Sequence, residues 1–271
     1  MSKSNSARQR KIVELARQRG RVSVDDLVVQ LSVTPQTIRK DLNELCAQEL
    51  LTRVHGGAIV ASGVENVGYE ARRKLAAESK DAIGIAAAAL IPDGASLFIN
   101  IGTTTEAVAR ALAKRTNLLV ITNNLNVVDI LTPNPAIEVI VVGGRIRHSD
   151  RASVGPSAVD FIRNFKVDFA VIGSSAIDSD GSLLDFDLSE VQVSHAIVQN
   201  SRSVILVADQ TKLGRNAPVR IGHISDLDVF VTDHIDDPAL LGVCEQGEVQ
   251  VIMTGQPATD AGVHRSEDKR G

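Results

Sequence analysis

From residue 95 onward seven short apolar runs recur: "ASLFINI", "LLVIT", "IEVIVV", "VDFAVIG", "SVILVA", "LDVFVT" and "VQVIM". Helical patterns and turns separate them. A strand that is apolar throughout must be covered on both faces, and the intervening helices are what can cover it. The pattern therefore predicts a largely parallel α/β domain. A chain of 271 residues is longer than one average domain, so a second unit is expected ahead of the sheet.

The first 60 residues read as that unit. Ile12, Val13, Leu15 and Ala16 give a first helix an apolar stripe that stops at Gly20. "SVDDLVVQL" opens with Ser23 as N-cap, and its two aspartates suit the positive end of the helix dipole. Ser32 and Val33 then separate it from a third helix, begun by Thr34 as N-cap and Pro35 in the first turn. "LLTRVHGGAIVA" follows as two extended runs hinged on Gly56-Gly57. Three helices and a hairpin make a winged helix-turn-helix. On the third helix Ile38, Leu42 and Leu45 share one face, while Gln36, Lys40 and Asn43 lie opposite, flanked by Thr37 and Arg39. That polar set matches the demands of a DNA major groove. The candidate DNA contacts are thus Ser23, Thr34, Gln36, Thr37, Arg39, Lys40 and Asn43, with Arg53 and His55 from the hairpin.

Charge agrees with this division. Residues 1–60 hold ten Lys/Arg against six Asp/Glu, and the rest of the chain is acidic, for a net −4. A basic run by itself is often only a solvated surface. Two distant cysteines argue against a disulfide framework or zinc site. The N-terminal residues lack the apolar run of a secretory signal, and no stretch is long and apolar enough to span a bilayer. A cytoplasmic location is expected. The expected boundaries are a DNA-binding head over 1–60, then a linker and the start of a connecting helix over 61–78. A sensor over 79–255 and an unstructured tail over 256–271 complete the chain. The Ala-rich stretch from Glu70 to Ile91 reads as one long helix, ended by "PDG".

Ligands of open α/β sheets sit beyond the carboxyl ends of the strands, and four such ends are chemically loaded. "INIGTTTEAVARAL" passes through Gly102, Thr103, Thr104 and Thr105 straight into a helix, where free amides, a dipole and hydroxyls suit phosphate. No Gly-Lys-Ser/Thr follows, so a nucleoside triphosphate is not implied, and Thr105 alone reads equally well as an N-cap. "ITNNLNVV" offers Thr122 and Asn123, whose side chains can bond hydroxyls or cap the next helix. "VVGGRIRHS" offers Gly143 and Gly144, with charge from Arg145 and Arg147, and "VADQTKLGR" offers Asp209 for hydroxyls and Lys212 for phosphate. A lone lysine is most often a surface lysine; four loaded ends on one sheet edge make a stronger case. In "DSDG", Asp178 and Asp180 read as a turn. An isomerase using Asp185 or Asp209 as base is the enzymatic alternative. No nucleophile triad or metal-ligand spacing emerges, so no catalytic residue, metal or cofactor is assigned.

These stretches together resemble the DeoR family of bacterial repressors, from about Arg8 to Met253. "VSVDDLVVQLSVTPQTIRKDLNEL" is similar to its helix-turn-helix, and "GTTT", "ITNN", "VVGGRIR", "IDSDGSLLD" and "ADQTKLGR" to its sensor motifs. The resemblance implies a sensor fold related to sugar-phosphate isomerases and CoA transferases, without turnover. It also implies release from double-stranded operator DNA when a small phosphorylated metabolite binds. "VDFIRNFKVDFAVIG" and "GRNAPVRIGHISDLD" are most similar to the branch that senses glycerol 3-phosphate. Where the family often has Glu-Lys at the start of the sensor, this chain has Ser79-Lys80, and Lys80 joins the candidate effector contacts. A homo-oligomer is expected, since one small head offers too few contacts for gene-level specificity.

Overall fold

The structure is a computed structural model that describes residues 7–19, 21–47, 50–54, 56–60 and 69–255. The expected linker 61–68, His55 and the tail 256–271 lie outside the described residues. The head runs α1 (Ala7–Arg19), β1 (Arg21–Ser23), α2 (Val24–Leu31), α3 (Pro35–Ala47), β2 (Leu51–Val54) and β3 (Gly57–Val60). Ser23 caps α2 by accepting from the Asp26 amide at 3.0 Å, and Thr34 caps α3 by accepting from Thr37 at 3.3 Å. Ile12, Leu27, Ile38, Leu42, Leu45 and Leu51 close a small core. The wing is larger than the hairpin expected: β1 adds to its edge, giving the antiparallel order β1-β3-β2. Asp41, on the apolar side of α3, is buried and takes Arg8 Nε at 2.5 Å and Gln9 Nε2 at 3.3 Å, which pins α1 across α3.

The Ala-rich stretch is not one helix. It breaks into α4 (Tyr69–Lys74) and α5 (Ala77–Ala89), with Ala76 in the left-handed region at φ 50°. The cause is a lysine one turn on: Lys80 Nζ turns back and donates to the carbonyls of Arg72 and Leu75, ending the first helix there.

All seven apolar runs become strands of one parallel sheet. In chain order the remainder is β4 (Ser96–Ile99), α6 (Thr103–Leu112), β5 (Leu118–Thr122), α7 (Leu125–Leu131), β6 (Ile137–Val141), β7 (Arg145–Arg147), β8 (Ala152–Val154) and α8 (Pro156–Ile162). Then come β9 (Val167–Ile172), β10 (Ala176–Ile177), β11 (Ser182–Asp185), α9 (Leu188–Gln199) and β12 (Ser201–Val207). A 3-10 turn (Gln210–Lys212), β13 (Val219–His223), β14 (Val229–Thr232), α10 (Pro238–Gln246) and β15 (Gln250–Met253) complete it. The sheet order is β15-β14-β12-β9-β4-β5-β6, parallel throughout. Alternate side chains serve opposite layers. Leu97 and Ile99 pack with α5, α6 and α7, while Phe98 packs with α8, α9 and α10. Two small antiparallel pieces, β7-β8 and β10-β11-β13, sit outside the main sheet.

The chain leaves β4 toward β6 on one side and returns through β9 toward β15 on the other. The order reverses between β4 and β9, and that is where an open sheet parts into a crevice.

Helix α6, which rises from this point, is held against α5 by close backbone approach. A Cβ on Gly84 would stand 2.6 Å from the carbonyl carbon of Ala107. Replacing a helical glycine by alanine ordinarily stabilises by up to about 1 kcal/mol, but overpacking costs about 1–3 kcal/mol. Gly84→Ala is therefore expected to lower the urea unfolding midpoint. Gly242→Ala in α10, where a Cβ meets nothing within 4 Å, should raise it. Equal effects of the two substitutions would contradict this packing.

Candidate effector site and DNA-reading helix

A cleft with about 500 Å³ of empty space, part of it open to solvent, occupies the switch point. Its floor is the loop after β4 (Ile101–Thr105), the loop after β9 (Gly173, Ser174, Ser175) and the end of β12 (Val207, Ala208). Its walls carry charge. Arg72 comes from α4 and Lys212 from the 3-10 turn, facing Asp150, Asp185 and Glu190.

The positive end starts from α6. Its N-cap is Gly102, at φ 144°, and supplies no side-chain acceptor. The neighbouring helices α7, α9 and α10 are capped by Asn124, Asp187 and Asp237. The first-turn amides of α6 thus meet the cleft with the helix dipole behind them. Thr103 and Thr104 line it. Thr105 lines it too, but its hydroxyl donates to the carbonyls of Asn100 (2.7 Å) and Gly102 (2.8 Å), so it holds the loop in shape. Lys212 is buried, and burial first, then the charge of Arg215, brings its ammonium down to about 8.

The other candidates divide by geometry. Lys80 and Asp209 are both buried, at 3% and 0% side-chain exposure, and lie 3.6 Å apart without lining the cleft. Asp209 accepts from the amide and hydroxyl of Thr211, capping the turn that carries Lys212. Its burial also removes it as a base facing a substrate. Burial holds the Lys80 ammonium below the usual lysine range, against the pull of Asp209. Thr122 donates to the Ile99 carbonyl at 2.6 Å and accepts from Asn124 at 3.1 Å. Asn123 donates to Ser153, while its Oδ1 is buried without a partner. None of these four lines the cleft. Gly143, Gly144 and Arg145 are exposed and outside the cleft, because the chain turns away after the edge strand β6 into β7.

The carboxylate wall was less visible in the sequence. Arg147, not Arg145, is the charged hub: it reaches Asp150 (2.6 and 2.9 Å), Asp187 (2.8 Å) and Glu190 (2.6 Å). Three carboxylates surround one guanidinium, with Asp185 beside them. Burial first, then the charge of Asp185, pushes the Glu190 carboxyl up to about 8. Tyr69, Arg72 and Glu190 carried no local signal, since their side-chain partners Glu106, Asp150 and Arg147 are more than thirty residues away in the chain, and Asp150 is tied both to nearby Arg147 and to distant Arg72. Only Asp185 had been marked, for a different role.

On α3 of the head, Gln36, Arg39, Lys40 and Asn43 are exposed and Thr37 is half-buried, while Ile38, Leu42 and Leu45 are fully buried. The polar face is thus presented as one surface. Ser23 and Thr34 spend their hydroxyls as caps, and Arg53 falls on β2. Among the described residues no helix is long and apolar enough to cross a membrane.

Residues 8–64 match the DeoR-like helix-turn-helix domain, and residues 75–234 match the DeoR C-terminal sensor domain. The chain is 45% identical over 242 residues to the glycerol-3-phosphate regulon repressor of Escherichia coli (strain K12), covering 89% of this chain and 96% of that protein. It is 44% identical over 251 residues to the protein of the same name from Haemophilus influenzae, covering 93% and 98%. Among solved structures, ribose 5-phosphate isomerase A of Methanocaldococcus jannaschii overlaps 51% of this chain and 55% of its own, at 15% identity and a TM-score of 0.39. The two domain matches and the near full-length identity place the chain in the DeoR family of helix-turn-helix transcriptional repressors.

Proposed function

We propose that this repressor leaves its operator when glycerol 3-phosphate occupies the cleft between β4 and β9. The observation that carries the reading is the cleft's chemistry. An uncapped helix N-terminus, Arg72 and Lys212 suit a phosphate, and the carboxyls of Asp185 and Glu190 suit hydroxyls. The names of the relatives above point to the same metabolite. The protein acts by binding rather than turnover. It works as a homo-oligomer, dimer or higher, with two heads reading half-sites about one helical turn or a multiple of it apart.

Three expectations test this reading. Arg39→Ala and Lys40→Ala weaken operator binding. A base contact costs about 1–3 kcal/mol and relaxes sequence preference, whereas a phosphate contact lowers the salt slope by about one. Unchanged affinity of the double variant in a gel-shift or anisotropy titration removes α3 as the reading helix. Light scattering on the protein alone and on operator DNA should show at least a dimer; a monomer in both refutes the oligomer.

The effector site has a pH signature. Lys212 and Glu190 both lose a proton near pH 8, and each loss makes the cleft more negative. A bound phosphate favours the protonated form of both groups, so it raises both pKa values. Between the second pKa of the phosphate, about 6, and pH 8 affinity for glycerol 3-phosphate is accordingly full, and above pH 8 it falls by up to about tenfold per pH unit for each proton taken up. In calorimetry, Lys212→Gln should bind weakly and lose its share of that slope. With Thr104→Val added, it should stay on the operator in the presence of effector. Normal release by that double variant places the phosphate elsewhere.

A further inference from the structure

The connecting helix α4 leads from the head into the sensor, and two of its residues, Tyr69 and Arg72, line the effector cleft. Its backbone is fastened. Tyr69 donates to Glu106 at 2.8 Å and accepts from Asn126 at 3.0 Å, and Lys80 takes the Arg72 carbonyl at 2.6 Å. The Arg72 side chain, by contrast, is poorly matched. Its Nε is buried without a hydrogen-bond partner, and its nearest carboxylate, Asp150, stands 3.9 Å from Nη2. Asp150 is already committed to Arg147, through one bond on each oxygen. Arg72 and Asp150 form an ion pair at 3.9 Å, but no hydrogen bond exists at that distance, so the pair leaves Nε without an acceptor.

A desolvated guanidinium with an open donor is unfavourable until an acceptor completes it. Its planar fork fits a phosphate through two parallel bonds. Lys212 lines the same cleft, and the charge of Arg72 is among those that lower its pKa, so the two cations repel across it. An anion between them relieves both. We propose that Arg72 grips the phosphate of the effector from the connecting helix, so that the segment leading to the DNA-binding head is itself a wall of the site and is tightened when the site fills. This inference rests on the phosphate-binding reading above and adds the route by which occupancy reaches the head.

The test uses full-length protein, wild type and Arg72→Gln, titrated calorimetrically with glycerol 3-phosphate and separately with inorganic phosphate. Amide exchange over residues 69–76 is then followed at matched ligand occupancy. Loss of a charge-assisted contact predicts about ten- to hundredfold weaker binding by Arg72→Gln. Ligand should slow exchange in that segment of wild type and leave it unchanged in the variant, a difference that a merely structural arginine would not produce. Wild-type affinity in Arg72→Gln, or equal slowing at equal occupancy, overturns the inference and leaves the phosphate site standing. Binding of inorganic phosphate but not glycerol 3-phosphate by wild type removes the metabolite, and the comparison with phosphate still judges Arg72. Binding of neither removes both proposals. Should Arg72→Gln fail to fold, Arg72→Lys decides, because it keeps the charge and loses the fork: a tenfold loss supports the grip and full affinity refutes it.

Discussion

The pair formed by Lys80 and Asp209 joins three parts of the sensor in one buried contact. An ammonium and a carboxylate removed from water are costly unless other bonds complete them. Here the bonds are specific, and only Asp209 Oδ2, with the Lys80 ammonium at 3.6 Å, has no hydrogen bond. Lys80 ends α4 by taking two of its carbonyls, and Asp209 caps the short turn that carries Lys212. One buried contact therefore sets the end of the connecting helix, the start of α5 and the position of a cleft-lining cation. Removing one partner alone would leave the other charge buried and unmatched, at a cost of about 3–5 kcal/mol, so neither is free to vary singly.

Around that anchor the cleft separates its charges by structural element. Cations come from α4 and the turn after β12, and carboxylates from β11, α9 and the loop before β8. On the proposed reading, this arrangement selects the effector by composition. A simple anion satisfies only the cationic elements, and a neutral polyol only the acidic ones. A small molecule with a phosphate and neighbouring hydroxyls satisfies both. Lys212 and Glu190 are shifted because each has too little water around it and a neighbour of its own sign, Arg215 and Asp185 respectively.

The sheet was legible because burial on both faces writes itself as continuous apolar runs, and all seven runs form strands. The head was legible for a similar reason, since Ile38, Leu42 and Leu45 keep helical spacing and their caps are explicit. The short pieces β7-β8 and β10-β11-β13 left no periodic trace in strands of two to five residues. The break at Leu75–Ala76 was invisible, because a residue outside the break, Lys80, causes it. The site was half legible. Gly102 to Thr105 and Lys212 stand in loops whose chemistry is local, and the structure brings them together. Tyr69, Arg72 and Glu190 owe their places to tertiary contacts, whereas Gly143, Gly144 and Arg145 have suggestive chemistry but lie exposed where the chain passes from β6 to β7, outside the cleft.

The size of the coupling needed is modest, which bears on whether so small an element as α4 can transmit it. A six-residue helix has no stability of its own in water, so its order is borrowed from the contacts it makes on the cleft rim. Those contacts include a hydroxyl, a lysine and a guanidinium, and two of the residues that make them, Tyr69 and Arg72, line the cleft. Segments held this way open at lower free energy than the core. Allosteric couplings are typically about 1–3 kcal/mol, and one hydrogen bond to a charged group contributes about 1.5–3 kcal/mol. A single new contact between effector and connecting helix is therefore enough in magnitude. It acts on DNA affinity only if the tightened segment disfavours the operator-bound arrangement of the heads, and the operator must then weaken the effector by the same factor.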